Sequence, residues 1–232
     1  MKKPDYVSPD VDERTAAGAS LYSKWVLFFY DFFVCWFSNN FVWKCLSQFI
    51  MDHYNKHVTN NHLEVGVGTG YFPNRCRFPS SHPAITLADI NSDALQFTAQ
   101  RLARYHPKII TMNVLEPLSM KEHTFDSIGM NYVLHVLPGT MDSKSAALKN
   151  LKMILKPGGV LFGSTILGRG VQAGRLARLF RWFYNKKKIL TNLDDSPEGL
   201  EKILKENFSE WSMEVIGCVG IFSGRKADLE GF

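Results

Sequence analysis

The stretch Leu63-Glu64-Val65-Gly66-Val67-Gly68-Thr69-Gly70 restricts the fold of this chain more than any other. Three glycines at alternate positions end a short apolar run and open onto a helix-like segment. Such a turn needs unusual backbone angles and close backbone approach, which glycine permits. A strand that ends this way belongs to an open α/β sheet, where ligands bind outside the carboxyl ends of the strands at a switch point. Glu64, just before the turn, can accept hydrogen bonds from a cationic ligand or hold the loop. The spacing Gly66-x-Gly68-x-Gly70 is not the dinucleotide fingerprint, because its third glycine comes too early. Pro73 and Pro79 also leave little room for a pyrophosphate-binding helix.

Beyond the turn, strand-like and helix-like segments alternate. AITLADI (84–90), KIITMNV (108–114), a strand within FDSIGMNYVLH (125–135) and GVLFGSTIL (159–167) read as further strands. Helix-like segments lie after Gly70, at 92–104 and at 143–155, so the sheet is parallel with crossover helices. Pro157-Gly158-Gly159 gives the fifth strand a sharp start. A basic amphipathic helix (171–184), a short helix (197–207) and two strands joined near Gly217–Gly220 complete the pattern. The two strands predict an antiparallel hairpin at one side of the sheet. The expected fold is thus α/β: a doubly wound, Rossmann-like sheet of seven strands, mostly parallel. Residues 58–232 form this domain, with a substrate-capping insertion at 168–208. Residues 1–57 are an arm and a helical lid. Within 20–56 the lid reads as two helices broken near Ser38-Asn39-Asn40, with Ser38 or Asn39 capping the second. Asp89, the acid at the end of the second strand, follows Gly66 by 23 positions. A carboxylate there can take both hydroxyls of a ribose.

Composition narrows the class. At 45% apolar and 21% charged the chain is globular rather than disordered. Cys35, Cys45, Cys76 and Cys218 are scattered, without metal-ligand spacing, so no metal site is expected. They read as reduced core residues, and the absence of an apolar region after the first lysines gives no signal peptide. The expectation is a cytoplasmic protein. Trp25–Phe37 is apolar except for Asp31, but its thirteen residues fall short of the roughly 20 that span a bilayer. That run reads as a buried lid helix. Peripheral membrane contact or a homodimer through these aromatic helices are the other readings. A net charge of +5 is too mild to argue for nucleic acid.

Together these segments resemble the class I SAM-dependent methyltransferases. LEVGVGTGYF is similar to that family's glycine motif and LADINSDAL to its second motif. MNVLEPL resembles the third strand's end, FDSIGMNYVLHVLPG the fourth motif and LKPGGVLFGSTIL the fifth. The resemblance implies S-adenosyl-L-methionine (SAM) as cofactor. It implies Glu64, Gly66, Gly68 and Gly70 around the methionine end and Asp89 on the ribose. Ile90 would pack on the adenine, and Asn113 with Val114 would stand at its edge. Asn131 and Tyr132 would lie beside the methionine part. Asn113 departs from the acid often found there. YDFFVCWFSNNFVWK further resembles a segment preceding the fold in quinone-biosynthesis C-methyltransferases and related secondary-metabolite enzymes. That likeness implies Tyr30 at the methionine end and Trp43-Lys44 in the family's Trp-Arg place.

Methyl transfer needs alignment and exclusion of water, with a base only if the acceptor must lose a proton. His135, after the fourth strand, is the candidate base, and His53, His57 and His62 are weaker ones. Aromatic helices on one side and the segment 168–195 on the other point to a small, hydrophobic acceptor: a polyketide, terpenoid, quinone or lipid-like metabolite. In that segment Leu176, Leu179, Phe180 and Phe183 form a helical stripe beside Arg175, Arg178, Arg181 and Lys186–Lys188. A rival reading keeps SAM but catalyses a non-methylating step such as a cyclisation. A nucleic-acid or protein methyltransferase ranks lower, because the fourth strand ends in Asn131-Tyr132-Val133-Leu134 and no RNA-binding module is visible.

Overall fold

A computed structural model describes residues 31–228. Its strands are β1 (Asn61–Val65), β2 (Ala84–Asp89), β3 (Lys108–Thr111), β4 (Phe125–Asn131), β5 (Leu155–Ile166), β6 (Glu210–Ile216) and β7 (Val219–Arg225). They form one sheet in the order β3-β2-β1-β4-β5-β7-β6. β1 to β5 pair in parallel, and β7 lies antiparallel between β5 and β6. This is the expected doubly wound, Rossmann-like sheet. Its order reverses between β1 and β4, so the switch point lies just beyond Val65 and Asn131.

Alternation along the strands builds two core layers. Leu63, Val65, Ile128, Met130 and Leu161 meet Leu148 and Leu151 of α4 (Met141–Ile154) and Leu200, Ile203 and Leu204 of α6 (Pro197–Asn207). On the other face Val160 and Phe162 meet Ile50 and Tyr54 of α1 (Ser47–His57) and Phe72 of α2 (Tyr71–Arg75). Ile85 and Leu87 meet Ala94 and Leu95 of α3 (Ser92–Arg101). Both faces are covered, which is why the central strands read as continuous apolar runs. Within 168–208, α6 is part of this layered core. α5 (Arg175–Lys186) instead leans on the N-terminal helix.

β5 begins at Leu155, earlier than its glycines suggest. Phe125 pairs with Leu155 and Ser127 with Val160, so Lys156–Gly159 form a bulge that accommodates Pro157.

The N-terminal region differs from expectation. Asp31–Val42 form one π-helix that continues through Ser38-Asn39-Asn40. The polar triplet does not break it because Asn39 is satisfied where it stands. Its carbonyl accepts from Cys45 N at 2.8 Å and its amide donates to Ser47 Oγ at 2.9 Å. The break falls at Trp43–Leu46, where Lys44 has a φ of 55°. α1 therefore begins after Leu46, without a side-chain cap. The rest of the first expected helix, with Tyr30, lies outside the described residues. The β6–β7 turn sits against this corner: Cys218 N donates to Trp43 O at 2.8 Å, and a Cβ on Gly217 would fall 2.2 Å from that oxygen. No helix among the described residues is long and apolar enough to cross a membrane.

Candidate functional site

The glycine turn follows β1 directly. Gly66, Gly68 and Gly70 have φ of +66°, +49° and +69°, in the region that L side chains avoid. Each has a different neighbour. A Cβ on Gly66 would lie 2.4 Å from Val133 Cγ2, and one on Gly70 would lie 2.7 Å from Thr98 Cγ2. At Gly68 a Cβ would meet nothing within 4 Å among the described residues. Gly66 and Gly70 thus let the loop pack on the protein, while Gly68 borders open space.

The loop is tied down by side chains that the sequence reading missed. Thr98 Oγ1 donates to Gly68 O and Arg101 Nη1 to Thr69 O, both at 3.0 Å. Both donors stand on α3 at i and i+3, one helical face, which is the signal that could have found them. Asn91 caps α3, accepting from Asp93 N and Ala94 N.

Asp89 closes β2 against the same loop. Its carboxylate accepts from Asn91 N at 2.9 Å, and the backbone N–H groups of Val67, Gly68 and Ile90 face it. Burial raises its pKa, and these four donors oppose the rise. The acid therefore joins the tips of β1 and β2. Ile90 beside it is 41% exposed, unusual for so large an apolar side chain at a strand end. Asn113 is occupied locally: its Oδ1 accepts from Leu115 N and its Nδ2 donates to Glu116 Oε1. Val114 is buried in the core.

Glu64 faces away from the loop tip. Its Oε2 accepts from Tyr54 OH at 2.7 Å and lies 3.0 Å from His62 Nε2. His62 Nδ1 meets Ser127 Oγ at 2.8 Å, and that hydroxyl meets Thr59 Oγ1 at 2.8 Å. A buried polar chain thus runs from α1 through β1 to β4.

The end of β4 carries two anomalies. Asn131 is buried; its Oδ1 accepts from Ser164 Oγ at 3.0 Å, but its Nδ2 has no partner among the described residues. An unpaired buried amide donor costs about 1–3 kcal/mol. Tyr132 has a φ of 59°, strained for an aromatic residue, and its OH donates to Asn39 Oδ1 at 2.7 Å. An orphan donor and a strained residue at a switch point, opposite a glycine that borders open space, fit a ligand with an anionic or carbonyl acceptor.

The structure places His135 differently from the expectation of a base. It is buried, and Ile166 N donates to its Nδ1 at 3.3 Å. Burial first, and Lys144 second, push its pKa down to about 3. Such an imidazole is neutral near pH 7 and ill suited to taking up a proton. His53 Nε2 donates to Phe222 O at 2.9 Å, and His57 stacks on Phe162. His62 belongs to the polar chain at the start of β1. None of the three stands at the switch point.

A second missed feature holds the insertion. Lys144 Nζ of α4 donates to both oxygens of Asp195, at 2.9 and 2.7 Å, and to Thr191 O at 2.9 Å. Both side chains are buried. Asp195 O in turn accepts from Gly168 N and Arg169 N, so one pair clasps both ends of the segment that carries α5.

Residues 63–161 match the model of a methyltransferase domain. Demethylluteothin O-methyltransferase of Streptomyces thioluteus is 37% identical over 218 residues, covering 94% of this chain and 95% of the relative. Methyltransferase ctvB of Aspergillus terreus is 38% identical over 218 residues, covering 91% and 95%. In fold, the chain resembles a Haemonchus contortus N-methyltransferase solved with phosphomonomethylethanolamine and S-adenosylhomocysteine. The TM-score is 0.70 at 14% identity, over 98% of this chain and 63% of that one.

Proposed function

We propose that this chain, which belongs to the SAM-dependent methyltransferases, delivers the methyl group to an acidic hydroxyl, a phenol or an enol, on a small hydrophobic metabolite. The observation that carries the acceptor's chemistry is the state of the titratable groups around the switch point. Among the described residues, His135 is held neutral, Asp195 is paired with Lys144, and Asp89 is faced by four backbone N–H groups. No base stands ready there among the described residues, which favours an acceptor that gives up its proton readily. The O-methyltransferase named among the relatives supports oxygen as the acceptor atom.

When bound, SAM supplies a methyl group on a positively charged sulfur that departs as a neutral thioether. The chain's part is binding, orientation and exclusion of water. The backbone at Gly66, Gly68 and Gly70 approaches the methionine end. Asn131 Nδ2 gains there the acceptor it lacks, with Tyr132 beside it and Tyr30 contributing from the N-terminal arm. Asp89 takes the ribose hydroxyls, Ile90 covers the adenine, and Asn113 meets its edge while Val114 supports that edge from the core. Glu64, fixed by Tyr54 and His62, holds the strand beneath the loop. His135 acts as a positioning residue, its ring against Tyr132 at 5.6 Å between centroids.

The test is a panel of phenols, enols, amines and polar hydroxyl compounds incubated with SAM, with S-adenosylhomocysteine and methylated product measured by mass spectrometry. Turnover should favour the more acidic hydroxyls. Methylation only of polar amines, or no S-adenosylhomocysteine with any acceptor, would sink the reading. Calorimetry on Asp89→Ala should show at least about a tenfold loss of cofactor affinity, the scale of a lost charge-assisted hydrogen bond.

A further inference from the structure

α5 sets Ala177, Phe180 and Tyr184 against the core and turns its other large apolar side chains outward. Of its twelve residues only Ala177 is buried. Leu176, Leu179, Trp182 and Phe183 are 39%, 58%, 57% and 46% exposed. An amphipathic helix ordinarily sets such a stripe against the core. Leu193, on the loop that returns from the helix, is exposed too. It shares a cleft of about 470 Å³ with Trp182, Lys186 and Lys188, and with Pro138 and Gly139 of the loop after β4.

Cations ring the stripe. Arg175, Arg178, Lys186, Lys187 and Lys188 are exposed, and no acidic residue occurs between Gly168 and Leu193. None of the five pairs with a carboxylate among the described residues. The Lys186 ammonium lies 5.1 Å from the centre of the Trp182 ring. Two copies meeting through this face would bring like charges together, which opposes self-association. The helix is only about 18 Å long. Its exposed stripe is small beside the roughly 1,200 Å² or more that a stable protein interface buries. A lipid surface asks for neither a matching shape nor a large area. It needs an apolar face to enter the headgroup boundary and cations to meet anionic lipid.

We propose that α5 is a peripheral-membrane helix that seats on anionic bilayers through Leu176, Leu179, Trp182 and Phe183. Seating brings the loop after β4 alongside the lipid. The proposal does not depend on which acceptor is methylated. Its test is sedimentation of the full chain with phosphatidylcholine vesicles and with vesicles containing about 30% phosphatidylserine, at about 0.1 M and about 0.5 M salt. On the order of tenfold more protein should pellet with the anionic vesicles at low salt, and the excess should fall at high salt. Leu179→Glu/Phe183→Glu should abolish it and Arg175→Glu/Arg178→Glu should weaken it. Both pairs are exposed, so an unchanged melting temperature verifies folding. Brominated lipid should quench tryptophan fluorescence in the parent chain and much less in Trp182→Phe. Equal binding to both vesicles, no binding, or pelleting of the Leu179→Glu/Phe183→Glu variant like the parent overturns the proposal. So does a dimer in analytical ultracentrifugation that the same variant dissolves, since a second copy would then cover the face.

Discussion

Gly68→Ala separates the two reasons a glycine is needed in the loop. The added methyl meets nothing within 4 Å among the described residues, so its effect on folding is confined to the left-handed backbone at φ +49°. That conformation costs an L residue about 1–2 kcal/mol. In a domain of this size each kcal/mol lowers the melting temperature by about 2–4 °C, so the variant should melt roughly 2–8 °C below the parent. Gly66→Ala bears the same backbone cost and also drives a methyl to 2.4 Å from Val133 Cγ2. Overpacking adds about 1–3 kcal/mol. A Val133→Ala background should remove that second part, a coupling that a double-mutant cycle measures. Calorimetric titration with S-adenosylhomocysteine then reads the other role. Gly68→Ala should fold and yet lose affinity by at least about tenfold, or 1.4 kcal/mol, because its methyl enters the space left for ligand. If Gly68→Ala binds like the parent, the open space at that position is not the cofactor's and the assignment of the loop fails.

Buried charge and buried imidazole give two further expected outcomes. Lys144→Met should destabilise the chain by about 3–5 kcal/mol by leaving Asp195 buried and unpaired, and Lys144→Met/Asp195→Leu should recover most of that, as read by denaturant unfolding. His135 has a folded pKa lowered to about 3 against an ordinary 6.5, so the unfolded chain binds the extra proton. The stabilisation is complete above pH 6.5 and is lost as pH falls toward 3; from this residue alone the loss by pH 5 is about 2 kcal/mol. Unfolding at pH 7 and pH 5 should show a smaller drop in His135→Asn than in the parent, and equal drops would contradict the neutral, buried imidazole.

Elements whose signal is local were legible in the sequence. The glycine loop and Asp89 announce the switch point because turn chemistry is encoded in neighbouring residues, and the strands between them follow from apolar runs bounded by turns. Depth was not legible. His135 looked like a base because it follows β4, yet the chain passes inward there and its imidazole ends beneath Ile166. Lys144 and Asp195 stand 51 positions apart, and nothing in either neighbourhood tells that they meet. Ser38-Asn39-Asn40 has the composition of a helix break. Tertiary partners, Ser47 and Tyr132, satisfy Asn39 instead and let the helix continue.

The position of β7 bears on how the molecule comes together. Among the described residues β6 has no sheet neighbour except β7, and β5 has none on that side until Val219–Arg225 arrives. β7 therefore serves two ladders, one within a local hairpin with β6 and one that closes the sheet on β5. Until that closure a nascent chain offers the bare edge of β5 to whatever strand is near, the situation in which chaperone capture or mispairing competes with completion. The corner at Trp43, met by Cys218, waits on the same event. Docking of the N-terminal region and closure of the sheet should thus share one rate.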